Sequence, residues 1–212
     1  MFELVWQIMN TTLFEWVALF TALFFIMFLT SEHKLSWPIG IISAEIHFAL
    51  CVEYDLFIES GIQFFFVIMY FVGWIIWRRS VRTYKRGANL VEYKAKTEGK
   101  LLIQRWRIEH HIILLISSVS LTAVLGFALD SLTNQMYPYT DAFVATFGLA
   151  ATYLTAQKVL ESWVYWMIIN SIITVLNIMH DFYLAALFYG ASIFVCIVGL
   201  RIWFKRYQWI SG

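Results

Sequence analysis

With 61% hydrophobic residues, 14% charged ones and two prolines among 212 positions, the chain has too little polar surface to be a water-soluble domain. Its formal net charge is only +1, yet its Lys and Arg are unevenly placed. Apolar runs long enough to cross about 30 Å of hydrocarbon recur throughout, so the sequence reads as an all-α integral membrane protein.

Seven such runs follow in chain order, at 13–31, 37–54, 57–77, 111–130, 139–157, 162–180 and 182–203. They are continuously apolar instead of alternating, which excludes barrel strands. The first run has no basic segment before it and no small-residue cleavage site after it, and is read as a retained helix. Between the third and fourth lies a connector, 78–110, that holds ten of the fifteen Lys and Arg. The other five are Lys34, Lys158, Arg201, Lys205 and Arg206. If the N-terminus is outside and each run crosses once, all fifteen fall at one end, which the positive-inside rule makes the cytoplasm, with the C-terminus there too. The basic connector is then a solvated, lipid-facing segment and no nucleic-acid site. Cys51 and Cys196 lie in different apolar runs, without disulfide or metal spacing.

A shift of 126 residues superimposes the chain on itself without a gap. Ser36-Trp37 falls on Ser162-Trp163, Asp55 on Asp181, Gly73 on Gly199, Ile76 on Ile202 and Trp77 on Trp203. Two parallel three-helix units need one extra crossing between them, and the run 111–130 supplies it. The expected organisation is a bundle at 13–77, a basic cytoplasmic connector at 78–110, a linker helix at 111–130 and a second bundle at 139–205. Asp55 and Asp181 read as caps of the helices that follow them. Trp74, Trp77, Trp203 and Trp209 read as belt residues at the membrane interface.

The stretch ESWVYWMIIN, 161–170, places a carboxylate, two indoles and an amide in an apolar helix. At about 100° per residue, Trp163, Asn170 and Asn177 fall within roughly 40° of one another, with Trp166 about 60° from Trp163. In the third run Glu59, Gln63, Phe66 and Tyr70 share a stripe about 60° wide. Amides turned to lipid would be unsatisfied, so these faces should point inward. Indole stacks on flat rings and is the best side-chain partner of a cation, amides bond hydroxyls and carboxamides, and an intramembrane carboxylate such as Glu59 indicates function. The candidate ligand is a flat, cationic heterocycle bound by Trp163, Trp166, Asn170, Gln63, Glu59, Asn177 and Tyr70. The alternative is that the polar groups only join helices. Glu45 and His47 share no face and receive no role.

The segments WPIGIIS (37–43), ESGIQFFFVIMYFVGWIIW (59–77) and KVLESWVYWMIIN with YLAALFYG (158–190) resemble the PnuC family of bacterial vitamin transporters. The resemblance implies a SWEET-like 3+1+3 fold in the bacterial inner membrane. It implies facilitated diffusion of nicotinamide riboside, or of thiamine or another riboside in relatives. It also implies trapping of the substrate by phosphorylation, hence functional coupling to a cytoplasmic vitamin kinase, and it leaves room for a homotrimer. Substrate-contacting positions carried over by motif are Trp163, Trp166, Asn170 and Gln63. Ser43 and Ala44 stand where relatives often place an amide.

The expected partners are therefore a small vitamin and membrane lipid, with no cofactor and no enzymatic step. An intramembrane metalloenzyme would need clustered ligands, whereas the five histidines are scattered. A retinal protein needs a lysine inside its last helix, and the last run has Arg201 and Lys205 only near its end.

Overall fold

The computed structural model describes residues 13–53, 57–84, 102–133 and 137–211. Seven helices account for nearly all of them: α1 Leu13–Thr30, α2 Ser36–Glu53, α3 Phe57–Tyr84, α4 Ile108–Leu132, α5 Pro138–Ala156, α6 Ser162–Met179 and α7 Tyr183–Ser211. Most boundaries lie within a few residues of the apolar runs. The exceptions are α3 and α7, which continue past the apolar stretch to Tyr84 and Ser211. Their extensions are rich in Lys and Arg, which are good helix formers and favour the negative end of the helix dipole.

Four helices carry stretches that are long and apolar enough to cross a membrane on their own: Ser60–Arg78, Ile108–Leu132, Ser162–Met179 and Tyr183–Gln208. A shorter apolar stretch is Trp16–Thr30. The helix α5 is less apolar because protein surrounds it. It buries Thr146, Thr152 and Thr155 among alanines and Gly148, and such small residues let neighbouring backbones approach closely.

The helices form a closed ring. In order, α1 packs on α2, α2 on α3, α3 on α5, α5 on α6, α6 on α7, and α7 returns to α1. The remaining helix, α4, stays outside the ring and docks on α5. It buries only His111, Ser118, Gly126 and Leu129, while Ile113, Ile116, Val124 and Phe127 are exposed as lipid-facing residues. Thr122 and Thr146 join α4 to α5 through their hydroxyls at 2.6 Å.

The repeat is visible as duplicated geometry. Trp37 stands edge-on to Trp77 with ring centroids 5.3 Å apart, and Trp163 stands edge-on to Trp203 at the same 5.3 Å. The Trp37 ring lies on Gly73 and the Trp163 ring on Gly199. The bundles then exchange hydrogen bonds. The Trp77 indole N–H donates across to the Ala156 carbonyl at 2.9 Å, and the Trp203 indole to the Thr30 carbonyl at 3.2 Å. These carbonyls belong to the last turns of α5 and α1, which lack acceptors' partners within their own helices.

This arrangement corrects the belt assignment for two tryptophans. Trp77 and Trp203 are 5% and 0% exposed and lie between the bundles, because each indole finds its acceptor there. Trp74 is half-buried with the Arg78 guanidinium 5.1 Å from its ring centre; the Trp209 side chain lies outside the described residues. Replacing Trp77 or Trp203 with Phe removes one buried hydrogen bond and strands a carbonyl, at about 1 kcal/mol. A thermal melt in detergent should therefore drop by about 2–4 °C for each variant. An unchanged melt would show that the exchanged bond carries no stability.

Three helices end in the same turn. His33 N–H donates to Phe28 O at 2.8 Å, Val159 N–H to Leu154 O at 2.9 Å and Phe182 N–H to Asn177 O at 2.8 Å. The residues just before these donors, Glu32, Lys158 and Asp181, have φ of 57°, 53° and 62°. This is the Schellman ending, whose left-handed position usually holds Gly. Asp181, expected as a cap of the next helix, also terminates α6 through its backbone, and its carboxylate accepts a 2.7 Å hydrogen bond from the hydroxyl of Tyr183, the first residue of α7. Asp55 lies outside the described residues.

Candidate site inside the helix ring

The α6 stripe faces the interior at its centre. Asn170, near the middle of α6, is 6% exposed and its amide nitrogen approaches Cys196 Sγ on α7 at 3.6 Å. One turn nearer the basic end, the half-buried Trp166 indole donates to Thr155 Oγ1 on α5 at 3.1 Å. Thr155 passes its own proton back to the Ala151 carbonyl at 2.8 Å, so the hydroxyl is fixed as an acceptor for the indole. Trp166 packs on two buried clusters, one around Trp163 and Trp203 and one around Phe147, Ala151 and Ile169.

The other members of the stripe differ. Trp163 is 1% exposed and wedged between Trp203 and Gly199. Asn177 turns its amide to the Ile173 carbonyl one turn back, at 2.8 Å.

On α3, Phe66 reaches α5, its ring 3.0 Å from where a Cβ on Gly148 would stand. Tyr70 packs between Phe66 and Phe25, with ring centres at 5.9 and 4.9 Å. Gln63 is half-buried and makes no hydrogen bond to the described residues. The two stripes thus converge through α5, Phe66 meeting Gly148 beside the Phe147 that packs with Trp166. The Glu59 side chain lies outside the described residues.

The repeat breaks at this level. Gly40, Phe25 and Tyr70 of the first bundle correspond, 126 positions on, to Trp166, Ala151 and Cys196 of the second. In the first bundle Gly40 makes room for two rings, a Cβ there meeting Phe25 at 2.8 Å and Tyr70 at 3.2 Å. In the second, Ala151 and Cys196 make room for one large indole. The two halves therefore offer a ligand different walls: a phenyl-phenol pair on one side, an indole beside an amide on the other.

Other polar groups of the apolar runs serve the scaffold. Glu161 begins α6 and pairs with Arg105 of the connector at 2.8 Å, which explains a carboxylate at the head of that helix. His111 of α4 lies 3.2 Å from the Tyr165 hydroxyl. His47 returns its Nδ1–H to the Ser43 carbonyl at 2.7 Å within α2, and Glu45 is exposed.

Two groups escaped the reading of the sequence. Thr155 could not be linked to Trp166 without knowing that α5 faces α6. The second is Glu32, which is buried against Lys158 and Arg206. A signal existed for that pair, since the 126-residue shift sets Glu32 on Lys158.

Comparison with known proteins gives the chain its family and the likeness of its fold. A profile described as the nicotinamide mononucleotide transporter family matches residues 12–205. Nicotinamide riboside transporter PnuC of Escherichia coli (strain K12) is 22% identical over 192 residues, covering 82% of this chain and 78% of the relative. The protein of the same name from Shigella flexneri gives the same figures. A crystal structure of the vitamin B3 transporter PnuC superimposes with a TM-score of 0.72 at 17% identity, over 98% of this chain and 87% of that one. The chain belongs to the nicotinamide mononucleotide transporter family, that of PnuC.

Proposed function

We propose that this multi-pass protein takes up nicotinamide riboside across the bacterial inner membrane. Movement is facilitated diffusion with alternating access: the two three-helix units rock about the central site, closing one end before the other opens. The observation that carries the reading is the pairing of an indole, held in place by Thr155, with the Asn170 amide near mid-depth in the ring. A cationic pyridinium suits the face of Trp166, and the amides of Asn170, Gln63 and Asn177 suit ribose hydroxyls and a carboxamide. Glu59 and Tyr70 complete the proposed site, and Trp163 supports Trp166 from the basic end.

Orientation follows the charges, with the basic end cytoplasmic, the N-terminus outside and the C-terminus inside. Uptake becomes one-way when a cytoplasmic kinase phosphorylates the riboside, because the added phosphate cannot return through this interior. Membrane lipid covers the outer faces, and three copies assemble as a homotrimer. Thiamine, which also carries a flat cationic ring, is the second candidate; the multiple amides favour the riboside.

A binding titration tests the site. Trp166→Ala should weaken nicotinamide riboside binding at least tenfold, about 1.4 kcal/mol. Equal affinity in wild type and variant would remove Trp166 from the site. In sealed vesicles, riboside should equilibrate with no gradient but its own, and a requirement for Na⁺ or a pH difference would overturn simple facilitation.

A further inference from the structure

The group that the proposed transport cycle leaves unexplained is an ion triad at the basic end of the ring, two of its three members buried. Glu32 ends α1 and Lys158 ends α5, each side chain being 1% exposed. One carboxylate oxygen of Glu32 meets the Lys158 ammonium and the other meets the Arg206 guanidinium of α7. The Lys158 ammonium also stands 4.5 Å above the centre of the Trp77 ring. These four residues come equally from the two bundles, so the cluster spans the seam between them: Glu32 and Trp77 from the first, Lys158 and Arg206 from the second.

Position makes the triad more than a tie. Glu32 and Lys158 are 126 residues apart and adopt the same left-handed backbone, so they occupy equivalent sites about the pseudo-twofold axis. Two equivalent residues that touch must touch on that axis. Left-handed backbone is unfavourable for a non-glycine residue, and glycine would avoid that strain. Beside the pair, the exchanged Trp77–Ala156 and Trp203–Thr30 hydrogen bonds cross the same seam. Every one of these contacts must be given up before the bundles can part at this end.

We propose that Glu32, Lys158 and Arg206 form a latch that holds the ring shut at its basic end, and that opening this end requires the buried ions to separate. The inference rests on the alternating-access reading. The latch is suited to reversible use. A buried ion pair contributes little net stability, because desolvation of the charges offsets their attraction, yet separating the partners while they stay buried is strongly unfavourable. The pair therefore favours a fully closed state over partly opened ones. Water entering the seam rehydrates the charges and lets the end open cooperatively.

Cys196 is a native reporter. It is 3% exposed and packs in the cluster formed by Trp163, Trp203 and Trp77, just inside the latch. With Cys51→Ser as background, the rate at which a small cationic methanethiosulfonate modifies Cys196 from the basic side reads opening directly. The double neutral variant Glu32→Gln/Lys158→Met removes the two fully buried charges together and leaves only Arg206, 37% exposed and within reach of water, without its carboxylate partner. It should melt within a few degrees of the parent, yet expose Cys196 to modification at least tenfold faster. Arg206→Gln should accelerate modification less, since Arg206 is 37% exposed. A double neutral variant that folds and is modified at the parental rate overturns the latch. Modification needs no substrate, so this outcome is separate from the transport reading, which fails only if vesicles show no riboside flux.

Discussion

Nicotinamide mononucleotide is expected to bind at least a hundredfold more weakly than nicotinamide riboside, a difference of about 2.7 kcal/mol. The two compounds differ by one phosphate, which carries between one and two negative charges at neutral pH. All fifteen Lys and Arg of the chain fall outside the stretches 35–77, 108–157 and 159–200. These stretches contain α2, the apolar part of α3, all of α4, α5 and α6, and most of α7. The buried cation among the described residues, Lys158, is engaged by Glu32, which also holds Arg206. A phosphate entering the ring would lose its hydration with no cation to replace it, and burying an unpaired ion costs several kcal/mol even after relaxation. Competition between the two compounds for the wild-type protein measures the difference. Comparable affinities would mean that the ligand's phosphate finds positive charge not provided by these helices, and the proposed location of the site would have to be abandoned.

The largest stability effect is expected at Gly73. A methyl group there would collide with the six-membered ring of Trp37. The indole has nowhere to go, because Trp77 stands edge-on 5.3 Å away and Tyr70 lies 6.1 Å from the same ring. Gly73→Ala should therefore destabilise the protein by about 1–3 kcal/mol through overpacking. Gly199→Ala faces Trp163 at a slightly larger 2.7 Å and should cost less. Gly61→Ala in the same helix as Gly73 meets nothing within 4 Å and serves as the control. Its melting temperature should hold or rise, since alanine is the better helix former. If Gly73→Ala melts with the Gly61→Ala control, the close approach of ring and backbone is wrong.

The seven helices and their repeat were legible because their signals are local and strong. Each apolar run is bounded by charged or turn-forming residues, so seven helices could be placed by eye, and Gly73, Gly199 and their tryptophans announced the repeat at helix ends. The stripes on α3 and α6 were legible for the same reason: helical period alone decides which residues share a face. What remained hidden lies between helices. Trp77 resembles any interfacial tryptophan until α5 is placed opposite it, and then its indole has the Ala156 carbonyl as acceptor. The part of Asp181 in ending α6 was hidden, because a left-handed backbone leaves no mark in sequence when the residue is not glycine. Glu32 and Lys158 escaped because a repeat comparison rewards likeness, and this pair corresponds through opposite charge.

That opposition has a consequence for how the two halves recognise one another. A self-paired assembly of residues 13–84 alone would set carboxylate against carboxylate on its symmetry axis, and one built from the second half alone would set ammonium against ammonium. Both would be repelled where the fused chain is attracted. Split into two polypeptides, the halves should reassemble only as a heterodimer, and neither should substitute for the other.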